Sequence, residues 1–342
     1  MHPDDLVRER FHFLVNAPAL FNAVTTAFEL RLFQRLSGHP GTTAEDLRSW
    51  SGLPAHQLRV LLQAVCATGL LRRTEDGGYV NSATAQELLA SDEDDSWGHI
   101  LVGWKEVYYP AFAQLTTALK AGTNTALDAY PGTGTTLYQR LAHQPQLEEV
   151  FHRAMTAFTL RSLDALVARP EFASVGHLLD VGGGDGTTSF RLAERHPEMT
   201  ATVFELPTVS RLASNHTDRV TLHPGDIFED AFPTGADAVL FSHVLEIFSP
   251  EQISRLMRKA YDALPPGGKV FVYGYNVSDD ETDGVFSARL SLYFNVLASG
   301  QGMAYPAADY ENWLTGAGFD RVTTIRGFPY EHGLTVGEKH SS

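Results

Sequence analysis

The stretch "LLDVGGGDGTTSF", residues 178–190, decides the fold that the sequence predicts. It opens on a short apolar run, turns through Gly182, Gly184 and Gly186, and leads into a segment of helical character. Because glycine has no Cβ, such a turn between a strand and a helix lets a ligand come close to the backbone. Position 187 is Thr, so the dinucleotide pattern G-x-G-x-x-G is absent, and so is the Gly-Lys-Ser/Thr of a phosphate-binding loop. The stretch therefore predicts a ligand-binding turn without a pyrophosphate cradle.

Strands and helices alternate from residue 175 onward. The predicted strands are "GHLLDVG", "TATVFEL", "VTLHPGD", "ADAVLFSH" and "GGKVFVYGY". The predicted helices are "TTSFRLAERH", "TVSRLAS" (208–214), "PEQISRLMRKAYDAL" and "AADYENWLTGAG". This alternation predicts a doubly wound, mostly parallel α/β sheet of the Rossmann-like kind, whose ligands bind at the carboxyl ends of the strands.

Acidic residues stand at two of those strand ends. Glu205 ends the second predicted strand, where a carboxylate can accept hydrogen bonds from both hydroxyls of a ribose. Asp226 ends the third, where a carboxylate can reach an adenine amine while Ile227 or Phe228 covers the ring. The alternatives are a solvated strand-end carboxylate at Glu205 and a loop N-cap at Asp226. Together the residues describe a nucleoside site without a phosphate-binding element, which fits S-adenosylmethionine.

Residues 5–115 are predicted to be helical apart from one hairpin. A long apolar helical pattern is expected to break at Pro18, and two short helices flank "SGLP". The segment "LLRRTEDGGYVNS" is expected to form a hairpin, so the whole follows the winged-helix pattern, whose obvious function is DNA binding. The net charge of −15 and the single arginine of the second helix disfavour a nucleic-acid partner. A dimer interface explains the apolar helices better.

The 342 residues have room for about two domains. Cys66 is the sole cysteine, which excludes an intrachain disulfide. The charged N-terminus is not a secretory signal, and no apolar run reaches the roughly 18 residues of a membrane span, so a cytoplasmic protein with no membrane partner is expected. The predicted domains are a helical winged-helix dimerisation domain at 1–115, a helical connector at 116–170 and the ligand-binding domain at 171–342.

Five motifs, "LLDVGGGDG", "VFELP", "GDIF", "SHVLEIFSPEQ" and "LPPGGKVFV", make the chain resemble the class I S-adenosylmethionine-dependent methyltransferases. More narrowly, it resembles the two-domain small-molecule O-methyltransferases of the caffeate, acetylserotonin and bacterial polyketide type, over nearly its whole length. The resemblance implies a homodimer that uses S-adenosylmethionine. It implies a cofactor site lined by Asp180, Gly182, Gly184, Glu205, Leu206, Gly225, Asp226, Ile227, Ser242 and His243. Met155 and Phe158 are implied to line the pocket near the sulfonium and the substrate.

The loop that carries catalysis in the resembling family departs from its usual pattern. That family usually has "HVLHDW", and its second His takes the proton from the substrate hydroxyl, whereas this chain has "HVLEIF" at residues 243–248. The alignment of these two patterns is fixed by the helix that follows, because Ser249, Pro250 and Gln252 have the N-cap, first and third helical positions of a capping box. Glu246 therefore stands where the usual base is expected.

Three candidate bases stay open. Apolar neighbours should raise the pKa of Glu246 and suit it to a phenol. Alternatively, Glu246 binds a substrate ammonium or hydroxyl and His243 is the base. His99 is the third candidate, because its segment closes over the substrate in the resembling family.

The chain is also similar to bacterial C-methyltransferases that act on tyrosine or 3-hydroxykynurenine in antibiotic pathways, in "FLVNAPALFNAVTTAFEL" and "FSHVLEIFSPE". We therefore expect a small phenolic, amino-acid-like substrate and prefer ring C-methylation ortho to the hydroxyl, with phenol O-methylation as the alternative. Relatives that bind iron need a second His in the later pocket helix, where this chain has Asn295, so no metal is expected. Further expected substrate residues are Trp104, Arg289, Tyr293, Asn295 and Met303; Arg289 could receive a carboxylate.

Two alternatives to methyl transfer remain. The replacement of the usual His suggests an enzyme that holds S-adenosylmethionine without transferring its methyl group. The winged-helix pattern suggests a DNA-binding regulator, which the acidic charge disfavours.

Overall fold

The structure is a computed structural model that describes residues 3–210 and 217–340. The chain divides into two compact units. The first takes the residues up to Val107 together with Glu149–Phe158, and the second takes Tyr108–Glu148 and the residues from Thr159 onward. The domain boundaries predicted at residues 115 and 170 stay a prediction.

The first unit is built from helices and one hairpin. The elements are α1 (Pro3–Glu29), α2 (Leu32–Gly38), α3 (Ala44–Ser51), α4 (Ala55–Ala67), β1 (Leu71–Arg73), β2 (Tyr79–Asn81), α5 (Ala83–Leu88) and α6 (Trp97–Gly103). The hairpin forms as predicted, because Gly77 adopts a φ of 84° at its turn and the Thr74 N–H donates to Gly78 O at 2.8 Å. The core of the unit is apolar and includes Leu32, Phe33, Leu47 and Val65.

Helix α1 continues through Pro18, so the predicted break at this residue is wrong. Proline removes one backbone hydrogen bond from the helix. Pro18 and Leu14, whose carbonyl loses that bond, are both exposed, so water can solvate the carbonyl. Among the described residues no single helix is long and apolar enough to cross a membrane; α1 and α2, bent by 57° at their break, reach that length and composition only as a pair.

The second unit holds a seven-stranded sheet in the order β5-β4-β3-β6-β7-β9-β8. All neighbours are parallel except β9, which runs antiparallel to both β7 and β8. This confirms the predicted doubly wound, mostly parallel fold. The strands are β3 (His177–Val181), β4 (Thr200–Glu205), β5 (Val220–Pro224), β6 (Ala238–Ser242), β7 (Lys269–Tyr275), β8 (Phe319–Ile325) and β9 (His332–Lys339).

The central strands are buried on both faces because helices cover the sheet on both sides. Along β6, Val239 and Phe241 belong to one apolar cluster, whereas Ala238 and Leu240 belong to the other. This alternation is what a pleated strand requires, since successive side chains point to opposite faces. It explains why these strands appear in the sequence as nearly continuous apolar runs.

The helices of this half of the chain are short except for two. They are α7 (Tyr109–Phe112), α8 (Leu115–Ala121), α9 (Leu137–Leu141), α10 (Pro145–Val167), α11 (Thr187–Arg195), α12 (Pro207–Ser210), α13 (Pro250–Ala263), α14 (Val285–Tyr293) and α15 (Ala307–Ala317). Helix α10 also supplies Glu149–Phe158 to the first unit. The predicted helix over 208–214 falls partly on 211–216, which lie outside the described residues. Two helices continue as π-helical turns, α6 into Trp104–Tyr108 and α14 into Phe294–Ala298, a feature frequent at functional sites.

Candidate active site

The glycine turn between β3 and α11 has the backbone that its sequence demands. Gly182, Gly184 and Gly186 have φ values of 72°, 59° and 82°, a region that L side chains rarely adopt. A Cβ at Gly182 would lie 2.7 Å from Val244 Cγ2, so this glycine is also needed for close packing. The turn therefore presents bare backbone at the carboxyl end of the sheet.

Asp180 lies buried beneath this turn. Its Oδ2 accepts a hydrogen bond from the Ser189 hydroxyl at 2.7 Å, and its Oδ1 is buried with no hydrogen-bond partner among the described residues. Burial raises the pKa of Asp180 to about 7, against the lowering effect of the Ser189 hydrogen bond. A Cβ at Gly183 would lie 2.6 Å from the Asp180 carboxyl carbon, so the turn closes over this side chain only because Gly183 has none. An orphaned oxygen at this position fits a polar ligand.

Glu205 holds the turn from the neighbouring strand. Its Oε2 accepts the Gly184 N–H at 3.0 Å, and its Oε1 accepts the Leu206 N–H at 2.7 Å. Burial raises the pKa of this carboxyl, and the two backbone N–H groups oppose that effect. A carboxylate at this strand end is the kind of acceptor that ribose hydroxyls need.

Asp226 orders the loop after β5. Its Oδ1 accepts the N–H groups of Phe228 and Glu229 at 2.8 and 3.3 Å, so it makes the local cap that the sequence left as an alternative. Ile227 and Phe228 pack against the apolar cluster on one face of the sheet. Gly225 precedes it, and a Cβ there would lie 2.4 Å from the Phe204 ring.

The parallel register brings these groups to one edge. Val181 pairs with Phe204 and Glu205 pairs with Pro224, so β3, β4 and β5 end side by side. Strand β6 is the other neighbour of β3 and ends at Ser242. The edge thus presents a glycine turn, an orphaned buried oxygen and acidic groups after successive strands, a donor and acceptor set that fits the nucleoside and amino-acid parts of S-adenosylmethionine.

Glu246 lies in a one-turn 3₁₀ helix, Leu245–Ile247, just after β6. Its side chain is buried, with 2% of the residue exposed, and its Oε1 accepts the Tyr275 N–H at 3.0 Å. Burial raises the pKa of Glu246 from 4.5 to about 7, as its apolar neighbours predicted. A Cβ at Gly274 would lie 1.8 Å from Oε1, so the carboxyl reaches the backbone of β7 only because Gly274 has no side chain.

His243 is linked to a residue that the sequence did not indicate, His332. The two Nε2 atoms lie 2.7 Å apart, and the remaining nitrogens contact Ser242 Oγ at 3.3 Å and Pro329 O at 2.8 Å. Burial lowers the pKa of His243 well below 6.5 and that of His332 to about 4. Both rings are therefore neutral near neutral pH, which makes His243 a poorer proton acceptor than Glu246.

Tyrosines surround the helix that carries Arg289. Tyr108 stacks on Tyr293 with ring centroids 4.0 Å apart, and the Arg289 guanidinium lies 5.6 Å from the Tyr108 centroid. Burial raises the pKa of Tyr108 to about 12. The charge of Glu246 contributes to the raised pKa values of Tyr138 and Tyr275, so the carboxyl and these phenols lie within electrostatic range. The structure thus groups Arg289 and Tyr293 with Tyr108, and it adds Tyr138 and Tyr275 as phenols near Glu246.

Asn295 and Met303 occupy structural positions. The Asn295 amide donates to Ser291 O and Gly302 O, both at 2.9 Å, so it holds the loop after α14. Met303 packs against the same apolar cluster as Ile227. Their role toward a substrate stays a prediction.

Two of the candidates from the first unit, Trp104 and Phe158, contact the same tryptophan. Trp97 makes edge-on contacts with Trp104 at 6.0 Å and with Phe158 at 5.9 Å. His99 donates from Nε2 to Asp92 O at 3.2 Å, and Met155 is half-buried on α10. The roles predicted for His99, Trp104, Met155 and Phe158 stay predictions. Within residues 3–210 and 217–340, no group of three or more His, Cys, Asp or Glu side chains is placed to hold a metal ion.

The fold and the edge site define the class of protein. The sheet is doubly wound, its glycine turn lacks a phosphate cradle, and acidic groups follow the next strands. These are the features of an S-adenosylmethionine-dependent methyltransferase, and this protein is such an enzyme. The chain belongs to the O-methyltransferase family. The model of the O-methyltransferase domain matches residues 112–320, and that of the O-methyltransferase dimerisation domain matches residues 14–91.

Individual relatives agree with this assignment. The chain is 37% identical over 332 residues to the L-tyrosine C(3)-methyltransferase of Streptomyces lavendulae, which covers 93% of this chain and 89% of the relative. It is 30% identical over 323 residues to the 3-hydroxy-5-methyl-1-naphthoate 3-O-methyltransferase of Streptomyces sahachiroi, covering 92% and 91%. The apo structure of the methyltransferase SibL is similar with a TM-score of 0.83 at 35% identity, covering 97% and 99%. Human N-acetylserotonin methyltransferase in complex with S-adenosylmethionine shares the fold, with a TM-score of 0.87 at 20% identity and 99% of each chain covered.

These comparisons confirm the predicted family, fold class, enzyme class and S-adenosylmethionine cofactor. The protein is a methyltransferase of the bacterial natural-product type.

Proposed function

We propose that this enzyme methylates a ring carbon ortho to the hydroxyl of a small phenolic, amino-acid-like substrate in antibiotic biosynthesis. The observation that carries the proposal is Glu246, a buried carboxyl at the position where the resembling O-methyltransferases have their catalytic His. The similarity to an L-tyrosine C(3)-methyltransferase supports it.

The chemistry needs a base and a defined orientation. When bound, S-adenosylmethionine supplies an electrophilic methyl group. Glu246 takes the phenolic proton at Oε2, because Oε1 is held by the Tyr275 N–H. Loss of that proton places negative charge on the phenol oxygen and on the ortho carbon. Once the ortho carbon carries the methyl group, it loses its hydrogen as a proton and the oxygen regains one, which restores the phenol. The raised pKa of Glu246, about 7, lies closer to a phenol's pKa of about 10 than an ordinary carboxyl does, so the transfer is less uphill.

Arg289 is the proposed partner of the substrate carboxylate, and the stacked Tyr108 and Tyr293 are proposed to contact the ring. A guanidinium pairs well with a planar carboxylate, and aromatic rings stack with a phenol. The cofactor is proposed to be held by the Gly182–Gly186 turn, Asp180, Glu205, Asp226 and Ser242. Asp180 Oδ1 and the Glu205 carboxylate are the acceptors that we assign to its N–H and hydroxyl groups.

The second candidate is O-methylation of the same phenol. It is favoured by the naphthoate 3-O-methyltransferase relative and requires the same deprotonation. The two differ in which atom of the phenolate faces the methyl group and in the loss of a ring proton, which only C-methylation requires.

We also propose that the enzyme acts as a cytoplasmic homodimer whose first unit is a winged-helix domain used for dimerisation rather than for DNA. The match to a dimerisation domain supports this, as does the net charge of −15. In the single chain α1 exposes apolar side chains, among them Phe11 at 58%, Leu14 at 69% and Val15 at 56%. Such a surface is costly in water and is typical of an interface.

The test is product analysis with a methyl-labelled cofactor. We expect that L-tyrosine or 3-hydroxykynurenine, incubated with the enzyme and ¹³C-methyl S-adenosylmethionine, gives a carbon-bound aryl methyl signal and releases S-adenosylhomocysteine. A methoxy signal would establish O-methylation instead. Conversion of a phenolic substrate without S-adenosylhomocysteine release would support the non-methylating alternative. Retardation of DNA fragments at low salt would support the regulator.

A further inference from the structure

Four groups form a continuous hydrogen-bond chain at the carboxyl end of β6. The Ser242 hydroxyl contacts His243 Nδ1 at 3.3 Å, His243 Nε2 contacts His332 Nε2 at 2.7 Å, and His332 Nδ1 contacts Pro329 O at 2.8 Å. Pro329 lies in the turn before β9 and His332 is the first residue of β9, so both are far along the sequence from β6.

The chemistry of the groups fixes the direction of every bond. A carbonyl oxygen only accepts, so His332 Nδ1 carries the hydrogen and its Nε2 is an acceptor in the neutral ring. The 2.7 Å contact therefore requires the hydrogen on His243 Nε2. That leaves His243 Nδ1 as an acceptor, so the Ser242 hydroxyl must donate to it. Burial lowers the pKa of both rings and keeps them neutral, in agreement with this assignment.

The His332 ring is held firmly in place. It is 3% exposed and lies between two side chains of β7, stacked on Tyr273 at 5.2 Å and close to Tyr275 at 4.4 Å. The antiparallel pairing of β7 with β9 sets Tyr275 directly opposite His332. The ring cannot turn away from His243 without disturbing this aromatic packing.

The backbone is strained in both segments that supply the histidines of this hydrogen-bond chain. His243 has a φ of 57°, and Tyr330 and Glu331 have φ values of 57° and 64° in the turn that leads into His332. Side chains other than glycine rarely adopt this region, and strain of this kind concentrates at functional sites. Two strained segments that meet through one hydrogen bond indicate that the contact itself has a role.

We propose that His332 is a positioning residue of the cofactor site. By accepting the His243 Nε2–H it fixes the tautomer of His243, which fixes the Ser242 hydroxyl hydrogen toward Nδ1. Ser242 Oγ then offers only lone pairs to the bound cofactor, at the edge where β6 ends beside β3. It accepts a hydrogen bond from an N–H group of S-adenosylmethionine. Without His332, His243 can carry its hydrogen on Nδ1, which turns the hydroxyl hydrogen of Ser242 toward that N–H group and opposes binding.

The proposal needs the enzyme to be an S-adenosylmethionine-dependent methyltransferase, but it does not depend on whether carbon or oxygen is methylated. It is tested by two measurements on the full chain. The first is long-range ¹H–¹⁵N correlation on histidine-labelled protein, which distinguishes the two neutral tautomers. The second is calorimetric binding of S-adenosylhomocysteine, which requires no turnover and no substrate.

We expect His243 to have the hydrogen on Nε2 and His332 on Nδ1 in the unmodified protein. His332→Leu removes the acceptor at similar volume and should weaken binding about 10-fold to 100-fold, because a mispaired hydrogen-bonding group at the site is costly. His332→Gln, which restores an acceptor oxygen, should bind within about threefold of the unmodified protein. His340→Leu is the matched control, because His340 is an exposed histidine just beyond the other end of β9 and its replacement should leave binding unchanged.

A hydrogen on Nδ1 of His243 in the unmodified protein overturns the proposal, and this measurement stands even if the His332 variants fail to fold. Unchanged binding of S-adenosylhomocysteine by a folded His332→Leu variant also overturns it. Neither result affects the proposed methyl transfer, which is judged by product formation.

Discussion

The substitution Glu246→Gln should separate catalysis from folding. The amide oxygen can keep the hydrogen bond from the Tyr275 N–H, so the shape of the loop is preserved, while the ability to take a proton is lost. Removing a general base costs about 10²-fold to 10⁴-fold in rate. The unmodified enzyme should gain activity as the pH rises through about 7, where Glu246 ionises, and this rise should disappear in the variant.

The same substitution has a predicted effect on stability, with a definite sign. The pKa of Glu246 is about 7 in the folded protein and 4.5 ordinarily, so the folded state binds this proton more tightly than the unfolded state. Stability from this group is therefore present below pH 4.5 and is lost as the pH rises to about 7. At about 1.4 kcal/mol per pKa unit, the loss amounts to about 3 kcal/mol. Because Gln cannot ionise, the variant does not lose this stability as the pH rises.

We therefore expect Glu246→Gln to become more stable relative to the unmodified protein by up to about 3 kcal/mol between pH 5 and pH 8. Denaturant unfolding at both pH values measures this, and the comparison cancels the similar contribution of Asp180, whose pKa is raised in the same direction. Glu251→Gln is the control, because Glu251 is an exposed carboxyl on α13. Turnover of Glu246→Gln like that of the unmodified enzyme would transfer the role of base to a histidine, and an unchanged pH dependence of stability would refute the pKa argument.

Three further substitutions follow from the geometry. Gly274→Ala places a methyl group on the Glu246 carboxyl and should lower kcat roughly 10²-fold, with little change in S-adenosylhomocysteine affinity by calorimetry. Glu205→Gln removes the charged acceptor beside the Gly184 turn and should weaken that affinity about 10-fold, whereas retained affinity would exclude Glu205 from the cofactor site. Arg289→Met should raise KM for L-tyrosine roughly 10-fold or more but leave KM for tyramine unchanged, because tyramine has no carboxylate. An equal change in both KM values would show that Arg289 does not bind the carboxylate.

Much of the fold could be predicted from the sequence because the central strands are buried on both faces. Strands such as β6 and β7 are continuous apolar runs, and the glycine turn after β3 is unambiguous. The antiparallel strands β8 and β9 were not predicted. Strand β8 lies at the edge of the sheet, is only partly buried and has an irregular register near Arg321, so its sequence has no apolar run.

The candidate site shows the same limit. The burial of Glu246 could be inferred from its apolar neighbours, because that signal is local. His332 could not, since it reaches His243 only through the pairing of β9 with β7. For the same reason the sequence could not rank Glu246 above His243. One ring nitrogen of His243 contacts its sequence neighbour Ser242, but the other contacts His332, whose position depends on tertiary structure.

The central claim is that the base at position 246 serves methyl transfer to a ring carbon. The most direct measurement is the ¹³C spectrum of the product that the enzyme makes from L-tyrosine or 3-hydroxykynurenine and methyl-labelled S-adenosylmethionine. We predict a single aryl-methyl signal ortho to the hydroxyl, formed about 10²-fold to 10⁴-fold more slowly by the Glu246→Gln variant. A methoxy signal would contradict the account. So would an aryl-methyl product that the Glu246→Gln variant forms as fast as the unmodified enzyme.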